Sequence, residues 1–395
     1  MQNEKFENHN TRGIFEYIDV WFLDFGLGHS MRCVIAGGGT GGHLFPGIAI
    51  AEAFMDKEQG NEVLFIGTER GIEARVLPEG RFPLKTIEAK PLKGMSPIET
   101  LRAVWAIPKA IRQALRILKE FNPQMVVGVG GYASGPTVVA AFLLRIKRAI
   151  HEQNMVPGMT NRWLKWISQR IFVSFEETRR FFPKRKTFVT GMPIRRNLLS
   201  CVSEQKTDRA AGTEGERFTV LIFGGSAGAH RINRAMSEAL DALAGIKSSL
   251  RVIHQTGKID LDFVSRGYQE KGFDALVRPF FENMGSCYAT SDVVICRAGA
   301  STIAELAVCG KAAILVPYPH AAHQHQLLNA QKLVAMGAAR MIRDEELGGA
   351  SLSHAILQMV NHPEERRTME GAIQKMARPR AAQEIVDHCY ALACG

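Results

Sequence analysis

From Met31 onward the chain alternates short runs of β-branched and aliphatic residues with longer stretches whose apolar positions recur every three or four residues. The first half runs RCVIA, EVLFI, QMVVGV, RAIHEQ, RIFVS and KTFVTG, with a helical pattern over 45–60 and another ending near 145. The second half runs FTVLIFGG, LRVIHQTG, ALVRPF, DVVICRAG and AAILVPYP, with helical patterns over 229–243, 302–309 and 326–336. Strands apolar on both faces and separated by amphipathic helices belong to parallel sheets covered on each side. The pattern predicts an α/β chain of two doubly wound, Rossmann-like domains with a cleft between them. A polar stretch over 200–217 separates the halves. The expected division is a leader over 1–30 without periodicity, a first domain over 31–195 and a second over 196–375. The segment 376–395 is amphipathic and able to pack back on the first domain.

Composition narrows the class. Hydrophobic residues make up 46% and charged residues 22%, ordinary globular usage, which argues against wholesale disorder. Seven cysteines are scattered with no Cys-x-x-Cys pair, which argues against a disulfide framework or a structural zinc and favours a cytosolic chain. The polar start MQNEKFENHN offers no signal-peptide core. The uncharged run 121–144 has the length of a membrane span, yet Pro123, Gly128, Gly130, Gly131, Gly135 and Pro136 break it into strand, turn and helix. Charge is uneven: 85–186 holds 19 Lys or Arg against 6 Glu and no Asp, more positive than the whole chain at +10. Such a block suits phosphate, nucleic acid or an anionic membrane surface.

Three strand-to-helix junctions carry glycine loops: Gly37 to His43, Gly128 to Pro136 and Gly224 to His230. Glycine lets backbone approach a ligand closely, and the helix behind it offers free N–H groups to an anion. Gly37, Gly39 and Gly42 satisfy G-x-G-x-x-G, with Glu69 just past the next strand where a ribose-binding acid of a dinucleotide site would sit. That motif leaves His43 and the two further loops unexplained, whereas a phosphorylated ligand gripped between domains accounts for them. His43, on a first helical turn, is either a neutral general base or a histidine hydrogen-bonded to its loop. His151-Glu152-Gln153-Asn154 ends a strand, where ligand-facing groups cluster, or forms a loop hydrogen-bond network. Thr302-x-x-Glu305 is either a capping box or a helix aimed at a diphosphate with Glu305 on a ribose. His323-Gln324-His325-Gln326 suits hydrogen bonding better than a metal, and Asp260-Leu-Asp262 suits helix capping better than a metal.

Together GGGTGGHLFPGIAIA (37–51), VGVGGYASGP (127–136), HEQNMVPGMTNR (151–162), FGGSAGAHRIN (223–233), HQTGK (254–258), CRAGASTIAEL (296–306) and HQLLNA (325–330) resemble the MurG family, the UDP-N-acetylglucosamine:undecaprenyl-diphospho-muramoylpentapeptide N-acetylglucosaminyltransferases of peptidoglycan synthesis. The resemblance covers about 31–390. It implies a GT-B fold and inverting transfer of N-acetylglucosamine from UDP-GlcNAc to the 4-hydroxyl of lipid I, giving lipid II. By motif, Thr40, Gly41, Gly42, Asn154, Arg195, Ser226, Phe281, Ala300, Ser301, Thr302, Ile303, Ala304, Glu305 and Gln326 would bind UDP-GlcNAc. His43 would be the base. Arg195, Ser226 and helix N-termini would steady the leaving UDP with no cofactor and no obligatory metal. The implied place is the cytoplasmic face of the bacterial plasma membrane, with lipid I and an anionic membrane surface as partners and no nucleic acid. Met192 stands where an asparagine is common before Pro-x-Arg, Ala227 where a glutamine is frequent, and 1–30 has no counterpart in the family.

The apolar positions Ile98, Leu101, Trp105, Ile111, Leu115 and Leu118, with Arg102, Lys109, Arg112, Arg116 and Lys119 on a neighbouring face, predict the interfacial helix of such a peripheral enzyme. Other readings are a different GT-B glycosyltransferase or UDP-sugar epimerase, an NAD oxidoreductase, and a nucleic-acid-binding protein, which leaves the glycine loops without a purpose.

Overall fold

The computed structural model describes residues 30–69, 71–77, 82–89, 97–200, 217–321 and 324–395, the side chains of Arg75 and of 97–105 excepted. Residues 1–29 of the leader, 201–216 of the polar stretch and His323 lie outside the described residues. Two parallel sheets organise the rest. The first has strand order β3-β2-β1-β4-β5-β6-β7, with β1 Arg32–Ala36, β2 Glu62–Gly67, β3 Leu84–Thr86, β4 Met125–Gly128, β5 Lys147–Glu152, β6 Arg170–Val173 and β7 Thr187–Val189. The second has order β10-β9-β8-β11-β12-β13, with β8 Phe218–Phe223, β9 Leu250–Gln255, β10 Asp274–Arg278, β11 Val293–Cys296, β12 Ala312–Leu315 and β13 Arg340–Met341. Ile35 of β1 lies between Phe65 and Val127, and Leu221 of β8 between Ile253 and Val294. Each central strand is buried on both faces, which is why the sequence reads as unbroken apolar runs rather than alternation. The expected α/β architecture is present. The edge strands β3 and β13, three and two residues long, are too short to leave a periodic signal.

In each sheet the order reverses beside the first strand, between β1 and β4 and between β8 and β11. Connections there leave toward opposite faces and open a crevice at the carboxyl ends of the strands. The glycine loops after β1 and β4 share the first crevice; the loop after β8 and the helix Ala300–Cys309 share the second.

Helix Ala381–Cys394 returns from the second half to the first domain. Its Ile385, Val386 and Cys389 join the core beneath helix Gly41–Lys57, and Tyr390 Oη donates to Asn61 Oδ1 at 2.8 Å. Helix Pro97–Phe121 corrects one expectation. Ala110, Ala114 and Leu118 are fully buried against the sheet, with Ile111 and Leu115 packed beside them, so the apolar face of its described part is spent on the core. Ile98, Leu101, Arg102 and Trp105 have side chains outside the described residues. Exposed apolar side chains occur further along the chain: Phe142 and Leu143 at the end of helix Ser134–Leu143, and Met159, Trp163 and Trp166 on and just after helix Met159–Leu164, the two tryptophans each 71% exposed. No helix among the described residues is long and apolar enough to cross a membrane.

Candidate active site

The first two glycine loops interlock. A Cβ on Gly131 would lie 2.2 Å from the Gly38 carbonyl oxygen, and one on Gly130 would lie 2.5 Å from the His43 ring. Both residues also have φ in the left-handed region, at +80° and +88°, so side chains are excluded twice over. The contact presses His43 into the crevice. Its Nδ1 is 3.0 Å from Thr40 Oγ1, which explains why Thr40, the N-cap of helix Gly41–Lys57, makes no side-chain cap bond. Burial pushes the imidazole pKa down to about 4, opposed by the negative charge of Glu73. His43 is therefore neutral at physiological pH.

Glu73 escaped the sequence reading, which pointed to Glu69. Glu69 is exposed, whereas Glu73 is 1% exposed and receives hydrogen bonds from Gly39 N (2.6 Å), Thr68 N (2.9 Å) and Thr68 Oγ1 (2.9 Å). No local pattern singles it out: a glutamate opening the short helix after β2 reaches back under the loop after β1 only because these strands are neighbours in the sheet.

At the end of β5 the four polar residues divide their work. Glu152, buried, accepts from Asn154 N, Gly158 N, Asn161 Nδ2 and Asn154 Nδ2 at 2.9–3.2 Å; burial raises its pKa against those bonds. Gln153 Nε2 donates to the Val129 carbonyl of the second glycine loop at 2.7 Å. His151 Nε2 is 3.2 Å from the Gly191 carbonyl, and burial pushes its pKa down to about 4. Three of these residues thus brace loops. Asn154, partly buried, is oriented by Glu152 at the crevice rim.

In the second domain Gln255, at the end of β9, ties two site segments together: Nε2 donates to the Gly225 carbonyl (2.9 Å) and Oε1 accepts from Phe281 N (2.8 Å). Ser226 is exposed at the tip of that glycine loop. The helix after β11 begins at Ala300 with Gly299 as N-cap and no side-chain cap. Thr302 is its third residue, so the capping box does not form, and among the described residues no side chain caps the N–H groups of the first turn. Glu305, one turn further on, accepts from Tyr288 Oη at 3.0 Å; burial raises its pKa, while Arg195 and Tyr288 oppose the rise. Ala300 and Ile303 are buried in the core and offer a ligand only backbone, whereas Ser301, Thr302, Ala304 and Glu305 are partly exposed.

Arg195 joins the two halves of the cleft. Its guanidinium lies 4.0 Å from the centre of the Phe45 ring in the first domain while acting electrostatically on Glu305 in the second. Its buried Nε has no hydrogen-bond partner among the described residues. Gln326 is turned to its own loop, Oε1 accepting from Tyr318 N at 2.9 Å. Asp260 departs from its expected capping duty: it stands before helix Leu261–Lys271 but accepts from His230 Nδ1 (2.9 Å) and Asn233 Nδ2 (2.7 Å). Among the described residues no three His, Cys, Asp or Glu side chains group as a metal site.

Helix Gly41–Lys57, which carries neutral His43, thus contacts the uncapped helix Ala300–Cys309 of the other domain. Two family models match the chain: the glycosyltransferase family 28 N-terminal domain over residues 33–173 and the C-terminal domain over 219–385. The chain belongs to glycosyltransferase family 28. It is a glycosyltransferase of GT-B architecture. Two relatives are described as UDP-N-acetylglucosamine--N-acetylmuramyl-(pentapeptide) pyrophosphoryl-undecaprenol N-acetylglucosamine transferase. The protein from Myxococcus xanthus is 49% identical over 362 residues, 92% of this chain and 93% of that one. The protein from Geotalea uraniireducens is 48% identical over 358 residues, 90% and 97% of the two chains. Among solved structures, Acinetobacter baumannii MurG is similar with a TM-score of 0.71 at 30% identity, covering 91% of this chain and 99% of that one. A UDP-GlcNAc 2-epimerase from Neisseria meningitidis has a TM-score of 0.62 at 15% identity over 91% of this chain and 99% of that one, a likeness of fold alone.

Proposed function

We propose that this enzyme moves N-acetylglucosamine from UDP-GlcNAc to the 4-hydroxyl of the muramoyl sugar of lipid I, giving lipid II with inversion at the transferred carbon. The observation that carries the reading is the pairing of a neutral His43 in a crevice of two glycine loops with the uncapped helix Ala300–Cys309 across the cleft, in a chain close in sequence to proteins bearing that description. With Nδ1–H donating to Thr40 Oγ1, Nε2 holds the free lone pair and takes the acceptor proton as the hydroxyl oxygen bonds to C1. The bond from C1 to the β-phosphate oxygen breaks and its electron pair leaves with UDP. Arg195, Ser226 and the N–H groups at Gly41, Gly42 and the start of helix Ala300–Cys309 meet that charge. Glu305 accepts from a ribose hydroxyl, Phe281 and Gln326 close the donor pocket, and Asn154 contacts the sugar. In this division 31–195 receives the lipid acceptor, 196–375 holds the donor and 376–395 straps the two.

An anionic membrane surface at the cytoplasmic face of the plasma membrane completes the reading. Its support is the exposed Trp163 and Trp166 beside Arg162 and Lys165, the last lying 5.1 Å from the centre of the Trp166 ring. Aromatic rings and cations side by side suit the headgroup level of a bilayer. The deciding experiment measures labelled N-acetylglucosamine passing from UDP to a lipid I analogue. Transfer of the label to that acceptor supports the reading; hydrolysis of the donor without transfer, or turnover only with unrelated glycolipids, refutes it.

A further inference from the structure

Glu73 is a buried carboxylate directly behind a loop built to receive a phosphorylated ligand. A negative charge there opposes anion binding, so its place needs another reason. Three donors converge on it, and the surrounding backbone is shaped to admit it: Cβ atoms on Gly38, Gly67 or Gly71 would come within 2.1–2.5 Å of its side chain. Only a carboxylate accepts from two backbone N–H groups and a hydroxyl at once; an amide of the same shape turns an NH2 toward one of those N–H groups. The titratable groups of the described residues that share an electrostatic interaction with His43 are Glu73, on the turn after β2, and His151, on β5. Glu73 is the negatively charged one of the two.

We propose that Glu73 is a positioning residue for the transfer, fixing the first glycine loop through Gly39 and setting its carboxylate toward the positive charge that forms on His43. This rests on the reading of His43 as the base. As the acceptor proton reaches Nε2 the ring becomes an imidazolium in a crevice where burial disfavours charge. A fixed anion nearby stabilises that cation, as a buried acid does behind a catalytic histidine. No proton moves to Glu73; it stays on His43 Nε2 as UDP leaves.

The test compares wild type, Glu73→Gln and Glu73→Asp by transfer kinetics, by melting temperature and by NMR titration of the His43 ring. Glu73→Gln loses the charge. Its kcat is expected to fall by roughly 10-fold or more, its donor KM to change by less than about threefold, and its His43 titration to move to lower pH. Glu73→Asp keeps the charge but draws it back from Gly39 N. Its His43 titration is expected to stay near that of wild type while kcat falls several-fold. A purely architectural glutamate lowers the melting temperature and leaves the kcat of the folded fraction and the His43 titration unchanged, and that result overturns the proposal. Should Glu73→Gln not fold, Glu73→Asp decides, since wild-type kcat there also overturns it. Absence of transfer by the wild type defeats the functional reading instead; an unmoved His43 titration in Glu73→Gln then still overturns the role given to Glu73.

Discussion

Two histidines show how burial decides what one residue type does. His43 meets the crevice and Thr40, whereas His254, fully buried, bridges Tyr268 Oη (2.9 Å) and Asn233 Oδ1 (3.1 Å) and has its pKa pushed down to about 3. Their expected signatures differ. His43→Ala should lower kcat by about 10²- to 10⁴-fold with a smaller change in donor KM, because a base acts in the transition state. In the wild type the acid limb of kcat/KM should fall near pH 4 rather than near 6.5, and a limb near 6.5 would show another group at work. Stability follows the same sign. His151 and His254 are held neutral when folded, so the unfolded chain binds more protons as pH falls below about 6.5. Their stabilising contribution is present above that value and is lost progressively as pH falls toward 4 and 3. Melting temperature should decline across that window, and His151→Asn should make the decline shallower. For Glu305 the useful variant is Glu305→Gln, which still accepts from Tyr288 Oη. It should raise donor KM while holding the melting temperature, whereas Glu305→Ala should also destabilise by about 1–3 kcal/mol by leaving a buried hydroxyl unpaired.

Helices carry the next level of meaning through their ends. Thr-x-x-Glu at 302–305 has the form of a capping box, yet the helix starts two residues before Thr302 and the motif falls inside it. The sequence could not reveal this, because Ala300 and Ser301 continue a helix as readily as they precede one. All three glycine-loop helices, Gly41–Lys57, Ser134–Leu143 and His230–Ala239, and helix Ala300–Cys309 likewise lack side-chain caps from their N-cap residues. In their place buried side chains at or beyond the carboxyl ends of neighbouring strands fix the loops: Glu73 the first, Gln153 the second and Gln255 the third. The interlock of the first two loops gives a direct test. Gly131→Ala places a methyl against the Gly38 carbonyl at a left-handed φ, and should lower both melting temperature and transfer. The equivalent change at Gly371, where a Cβ meets nothing within 4 Å, should leave both near wild type.

For the whole molecule, the positive block over 85–186 finds its meaning only in three dimensions. Helical spacing pointed to 98–119 as the membrane face, but amphipathicity is the same whether the apolar side meets lipid or a protein core. Here the sheet takes Ala110, Ala114 and Leu118, and the exposed rings stand at 163 and 166. Trp163→Ala with Trp166→Ala should therefore weaken co-sedimentation with anionic vesicles more than Arg112→Glu with Arg116→Glu does; the reverse order would return the membrane face to the earlier helix. What the sequence determined by itself is whatever depends on near neighbours along the chain: the alternation of apolar runs that dictates two parallel sheets, the glycine loops, and the motifs that mark family 28. Tertiary structure alone decided what depends on distant residues meeting. It placed Glu73 beneath a loop 34 positions away, set Arg195 between Phe45 and Glu305, and returned helix Ala381–Cys394 to the first domain. Local patterns report which face of a segment avoids water, while the partner that covers that face is chosen by how the whole chain packs.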